Sequence, residues 1–160
     1  MTRLRSFVLM TLSMLLLAIP VAGGSAKAQQ QSEADKVKAT LDAFHVALSA
    51  LDLRQMEEVW AHDADVMYIG PRDKGITVGW DAVKRKWEAV FNFWSELKVT
   101  TQDGPHIHIN NGIAWADSIA GVVGRLKAGA SFNGPTFESL VLEKRGDRWL
   151  IVSDSTARVP

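Results

Sequence analysis

Apolar positions recur along the chain in two rhythms. In the first half, Val37, Leu41, Phe44, Leu48 and Leu51 are spaced by four, three, four and three residues. That spacing puts them on one face and predicts a helix over roughly 32–51. Ser32-Glu33-Ala34-Asp35 in front of it has the form of a capping box, in which a hydroxyl and a carboxylate satisfy the free N–H groups of a helix start. Asp52 and Gln55 repeat the signal, and Leu53, Met56, Val59 and Trp60 predict a short second helix almost without an intervening loop. Trp80, Val83, Trp87, Val90, Phe91 and Trp94 predict a third helix over about 80–95, with Lys84, Arg85, Lys86 and Glu88 on its other face.

Between the second and third helices, Val66 to Ile69 and Ile76 to Val78 read as a short hairpin around Gly70-Pro71. From Leu97 onward the pattern is that of strands: 97–102, 106–109, 113–126, 137–144 and 148–155. They are punctuated by Asp103-Gly104-Pro105, Asn111-Gly112, Ala128-Gly129 and Gly146-Asp147. Asn-Gly is the strongest of these hairpin signals because both residues accept positive φ. Gly121 and Gly124 are expected bulge or bend points. Helices segregated ahead of a strand meander predict an α+β fold, a curved antiparallel sheet wrapped by three N-terminal helices around a conical cavity.

Residues 1–28 follow a different logic. Arg3 and Arg5 precede an apolar run from Phe7 to Ala22, and Ala26-Lys27-Ala28 offers small residues at the two positions a signal peptidase inspects. The run is short for a bilayer span of ~20 residues. We therefore expect a cleaved signal peptide over 1–28, a polar tail over 29–32, a single domain over 33–160, and a bacterial periplasmic or secreted location. The 160 residues carry 18 basic and 18 acidic side chains. Cleavage would remove Arg3, Arg5 and Lys27 and make the balance mildly acidic. That argues against nucleic acid and, after cleavage, against a membrane as partner. The absence of cysteine excludes a disulfide scaffold, a thiolate nucleophile and a lipoprotein anchor. No nucleophile elbow, phosphate loop, dinucleotide glycine motif or H-E-x-x-H occurs.

Val37…Phe44…Leu51-Asp52 leading into Val59-Trp60-Ala61-His62-Asp63-Ala64-Asp65, then Gly79-Trp80-Asp81-Ala82-Val83, then Arg148-Trp149-Leu150-Ile151-Val152, form an ordered set of markers. In that order and spacing the chain resembles the SnoaL-like, ketosteroid-isomerase-like branch of the nuclear transport factor 2-like superfamily over about 33–160. The resemblance implies a cone-shaped α+β roll, often a homodimer through the outer sheet face, with chemistry that usually needs no cofactor. Members include isomerases, cyclases, dehydratases and proteins without known activity, so the fold leaves function open. Many relatives place a histidine in the last strand, where this chain has Ser153-Asp154-Ser155.

Asp117 is the first candidate for catalysis. Strand alternation groups it with Ile113, Trp115 and Ile119, and a carboxylate among large apolar side chains resists ionisation and can serve as a general base or acid. Tyr68, the only tyrosine, can donate to a ligand oxygen. Trp87, Phe91 and Trp115 are the aromatic residues expected to line an apolar pocket. Glu138 alternates with Leu140 and Leu142, which makes it a possible second acid in the cone. His106 and His108 share a strand face but read as solvent-facing, with no other ligand-like spacing nearby, so no metal site is expected. His45 and His62 read as structural or exposed. Three functional readings remain: a binding domain for a small apolar or partly polar metabolite, a cofactor-free isomerase, cyclase or dehydratase using Asp117 with Tyr68, and a structural dimerisation module.

Overall fold

The computed structural model describes residues 22–160. The described elements run α1 (Ala22–Ala50), α2 (Leu53–Val59), β1 (Met67–Ile69), β2 (Thr77–Val78), α3 (Trp80–Phe93), β3 (Trp94–Asn110), β4 (Ile113–Leu126), β5 (Ser131–Arg145) and β6 (Arg148–Arg158). The six strands form one curved, open sheet in the order β2-β1-β6-β5-β4-β3. The α+β class is as expected, but the sheet is mixed. β1 pairs antiparallel with β2 and parallel with β6, because the chain returns to the sheet only after three further strands have been laid down.

Several local signals act as predicted. Asp52 caps α2, its Oδ1 accepting from the backbone N–H groups of Arg54 at 2.9 Å and Gln55 at 3.2 Å. Asn111 and Gly112 turn β3 into β4 with φ of 48° and 80°. Other boundaries move. α1 begins at Ala22, upstream of the expected start at 32, and residues 29–32 are helical and exposed rather than a tail. The Ala, Lys and Gln residues over 26–31 are good helix formers, so no cap is needed at Ser32. Most of the expected targeting segment lies outside the described residues.

Glu33 therefore does not cap a helix start. It is buried, accepting from Trp149 Nε1 at 2.9 Å and pairing with Lys144 at 2.9 Å and Lys36 at 3.2 Å. Those donors, Lys144 first, pull its pKa down to about 2. The contact latches α1 to the β5–β6 hairpin. Asp103-Gly104-Pro105 is not a turn between two strands either. β3 continues through it, with register shifts between Thr101, Asp103 and His106 that leave extra residues bulged out. β5 likewise starts at Ser131 and carries Pro135 opposite Gly121.

The inner sheet face holds Ala114, Ala116, Ser118 and Ala120 from β4, Thr136, Glu138, Leu140 and Leu142 from β5, and Trp149, Ile151 and Asp154 from β6. Small side chains on β4 leave room for α1, whose Leu41 and His45 lie over Ala116 and Ser118. Phe44 from α1, Met56 and Trp60 from the α2 region, Val83 from α3 and Val66 complete the core. One glycine fixes a close approach. At Gly124 a Cβ would meet the Glu96 carbonyl and the Trp94 ring at 2.7 Å.

Candidate functional site

Between α1, α3 and the inner sheet face lies a cavity of about 350 Å³, within the size range of small-molecule sites. Its walls are apolar: Phe44 and Leu48 from α1, Trp87 and Val90 from α3, Val99 from β3 and Val122 from β4. Trp87 is central, tilted against Tyr68 at 4.6 Å between ring centroids and edge-on to Phe44 at 5.8 Å. The polar groups cluster at the deep end. Tyr68, Glu138 and Asp154 are 4%, 3% and 1% exposed. The rim carries the more open side chains Arg72, Phe93 and Arg158.

Strand pairing brings the deep residues together. Tyr68 of β1 is the register partner of Asp154 of β6, and Asp154 is in turn paired with Leu140 of β5, two residues from Glu138. A bulge decides the orientation of Asp154. Leu142 pairs with Ile151 and Val141 with Ser153, so Val152 is the extra residue. It flips the alternation that began at Trp149 and Ile151, and Asp154 turns inward instead of Ser153.

The deep cluster is electrostatically unusual. Neither carboxyl oxygen of Asp154 has a hydrogen-bond partner among the described residues, and neither does Trp87 Nε1. Burial pushes the Asp154 carboxyl well above the usual carboxylate range, and the adjacent Glu138 pushes it further. The site accordingly favours the protonated form of Asp154, which has a proton to donate. Burial also raises the Tyr68 hydroxyl, and the neighbouring carboxyl groups act in the same direction, so it remains a donor. That hydroxyl lies against Gly70, where a Cβ would come within 2.6 Å of it. Glu138 is held from behind: its Oε2 contacts His45 Nε2 at 2.7 Å and accepts from the Ser118 hydroxyl at 3.3 Å. The other face of His45 reaches the Thr101 hydroxyl, Nδ1 to Oγ1 3.4 Å, beside the β3 bulge.

Of the residues expected at a site, Tyr68, Trp87 and Glu138 line this cavity. Asp117, Trp115 and Phe91 do not. Asp117 and Trp115 lie on the outer face of β4, with Trp115 41% exposed and stacked on His108 at 4.1 Å. β4 alternates as expected, but its inward set is the small one, because α1 occupies the space that large side chains would fill. Phe91 is buried behind Trp87, ring centroids 5.9 Å apart, supporting the wall rather than forming it. Asp154 and His45 were missed as site residues. The signal for His45 was its position four residues after Leu41 on the apolar stripe. The signal for Asp154 was its place in the last strand, where many relatives carry a histidine, but its inward turn has none, since the Val152 bulge is invisible in the alternation. His106 is exposed, as expected, and contacts Asp103 at 3.2 Å. Among the described residues no three His, Asp or Glu side chains converge as metal ligands, and no helix is long and apolar enough to cross a membrane.

An open curved sheet folded over helices, with a cavity opening between them, is the nuclear transport factor 2-like fold. Within it, the chain belongs to the SnoaL-like domain family, whose model matches residues 37–156. The chain is similar in structure to a nuclear transport factor 2-like superfamily protein from Salmonella enterica serovar Typhimurium, with a TM-score of 0.76 at 16% identity, covering 82% of this chain and 94% of that one. It is also similar to a proposed dehydratase of the same fold family from Streptomyces avermitilis, with a TM-score of 0.73 at 15% identity over 81% and 99% of the two chains. A proposed ketosteroid isomerase from Shewanella frigidimarina gives a TM-score of 0.62 at 24% identity over 74% and 92%. At these identities the likeness concerns the fold. No curated protein matches the chain in sequence.

Proposed function

We propose that the chain is an exported binding domain for a small, mainly apolar molecule bearing one hydrogen-bond acceptor, such as a ketone or ester carbonyl. Asp154 carries the reading. A carboxylic acid without a protein partner costs about 1–3 kcal/mol when buried. A ligand oxygen placed between it and the Tyr68 hydroxyl would satisfy both donors, while the apolar walls select for a hydrocarbon body. The export part rests on Arg3, Arg5, the apolar run to Ala22 and Ala26-Lys27-Ala28. The expected homodimer finds support in the exposed Ile113, Trp115, Val123 and Phe137. Titration with 2-acetylnaphthalene and with 2-ethylnaphthalene, which has a similar shape but no carbonyl, tests the binding site. The ketone binds about tenfold more tightly to the wild type and loses that advantage in Asp154→Leu. Equal affinities for the two would refute the role given to Asp154.

A second reading, a cofactor-free isomerase or dehydratase, is favoured by the Glu138–His45 contact. An ionised Glu138 could take a proton from the carbon next to the ligand carbonyl. The C–H electrons would then move toward the carbonyl oxygen, where Tyr68 and Asp154 donate, and the proton would return from Glu138 to carbon. Exchange of the α-hydrogens of 2-tetralone in D₂O, followed by proton NMR, tests it. Exchange that needs protein and is abolished in Glu138→Gln supports catalysis; exchange no faster than in buffer leaves binding alone.

A further inference from the structure

The cavity rim carries charge that the deep site does not use. Arg72, Lys86 and Arg158 stand around it with a single carboxylate, Asp73. Asp73 is already committed: Oδ1 pairs with Lys86 at 2.5 Å, and Oδ2 accepts from the Gly70 N–H at 2.9 Å. Lys86 is thereby neutralised. Arg72 and Arg158 have no acidic partner within ion-pair distance among the described residues. Arg158 is not loose, because its guanidinium lies 5.3 Å from the centroid of the Phe132 ring, which is itself part of the rim. Two guanidinium groups without an acidic partner therefore stand at the entrance of an apolar chamber. Guanidinium is the side chain best matched to carboxylate, sulfonate or phosphate oxygens.

We propose that the ligand is an amphiphilic anion, with its apolar body in the cavity and an anionic group at the rim between Arg72 and Arg158. This rests on the binding reading above and specifies the class of molecule. A neutral apolar compound would occupy the same walls but leave both guanidinium groups unused. Polar ion pairs at an exposed rim contribute modestly, so the two together give roughly a five- to tenfold preference for the anion.

The test uses two fluorescent probes of similar aromatic framework, the anionic 1-anilinonaphthalene-8-sulfonate and the neutral N-phenyl-1-naphthylamine, titrated into the folded protein at neutral pH. The sulfonate binds more tightly to the wild type, and the preference shrinks as salt rises and shortens the screening length. Arg72→Gln and Arg158→Gln each weaken the sulfonate and leave the neutral probe unchanged, and the double variant binds both equally. Arg72→Gln keeps the experiment decisive should loss of Arg158 disturb Phe132. Equal binding of the two probes by the wild type overturns the anionic class while leaving the apolar site standing. A double variant that keeps the full preference also overturns it. Absence of binding by either probe removes the cavity reading and the rim proposal together.

Discussion

Replacing Asp154 by leucine removes a buried acid and adds apolar volume toward the cavity. Asp154 is 1% exposed, and neither of its oxygens has a protein partner. An unpaired buried polar group of this kind costs about 1–3 kcal/mol, so its removal stabilises the fold by about that amount. The larger leucine side chain extends into the cavity that Asp154 lines rather than into packed core, which avoids the usual strain of overpacking. For a domain of this size, each kcal/mol is about 3 °C in the melting temperature. The pH dependence adds a second arm. The folded pKa of Asp154 is raised above that of the unfolded chain, so the unfolded state releases its proton first as pH rises. Wild-type stability therefore falls from the ordinary carboxylate range upward toward the raised pKa, whereas the leucine variant lacks this loss. Urea denaturation at mildly acidic and mildly alkaline pH should show Asp154→Leu more stable than wild type at both, with the larger gain at alkaline pH. A variant less stable than wild type, or a gain independent of pH, would mean that Asp154 is stabilised by partners and is not an unpaired donor.

Glu33 has the opposite sign. Its folded pKa of about 2 lies below the unfolded value, so its stabilisation is present above that value and is lost as pH falls toward 2. Glu33→Gln should lower the urea midpoint at neutral pH, and the deficit should close on acidification. Residues 28–32 are exposed, so a chain starting at Gln29 should melt at the same temperature as one carrying the upstream residues, while one starting at Ala34 should melt lower. Gly124→Ala should destabilise by about 1–3 kcal/mol in thermal denaturation, because its Cβ would meet backbone and a packed tryptophan at 2.7 Å. If the exposed outer face pairs two copies, Trp115→Glu should convert a dimer to a monomer in light scattering without lowering probe affinity; an unchanged mass would remove that face from the interface.

The helices were legible because each presents a wide apolar stripe at helical spacing, and the late strands because tight turns such as Asn111-Gly112 demand particular backbone angles. What escaped was governed by neighbours. Which face of β4 turns inward depends on α1 lying across it, and that favours Ala114, Ala116 and Ala120 over Trp115 and Ile119. Hydrophobicity alone ranks those two sets the other way round and carried Asp117 into the wrong compartment. The strand through Asp103-Gly104-Pro105 continues because β4 supplies its partners, whereas locally the three residues read as a stop. Glu138 was accessible from its alternation with Leu140 and Leu142, whose register is unbroken across β4. Asp154 lay beyond a bulge, so its inward turn follows from pairing with β1 and β5 and from nothing in its own strand.

The central claim is that Asp154 and Tyr68 both donate to one ligand oxygen inside the cavity. The infrared carbonyl stretch of 2-acetylnaphthalene labelled with ¹³C at the carbonyl reads this directly when the ketone is bound. Two donors in an apolar site should move the band below its position in water, and Asp154→Leu and Tyr68→Phe should each move it part of the way back. A bound ketone whose band matches that in hydrocarbon solvent, and is the same in all three proteins, would contradict the account.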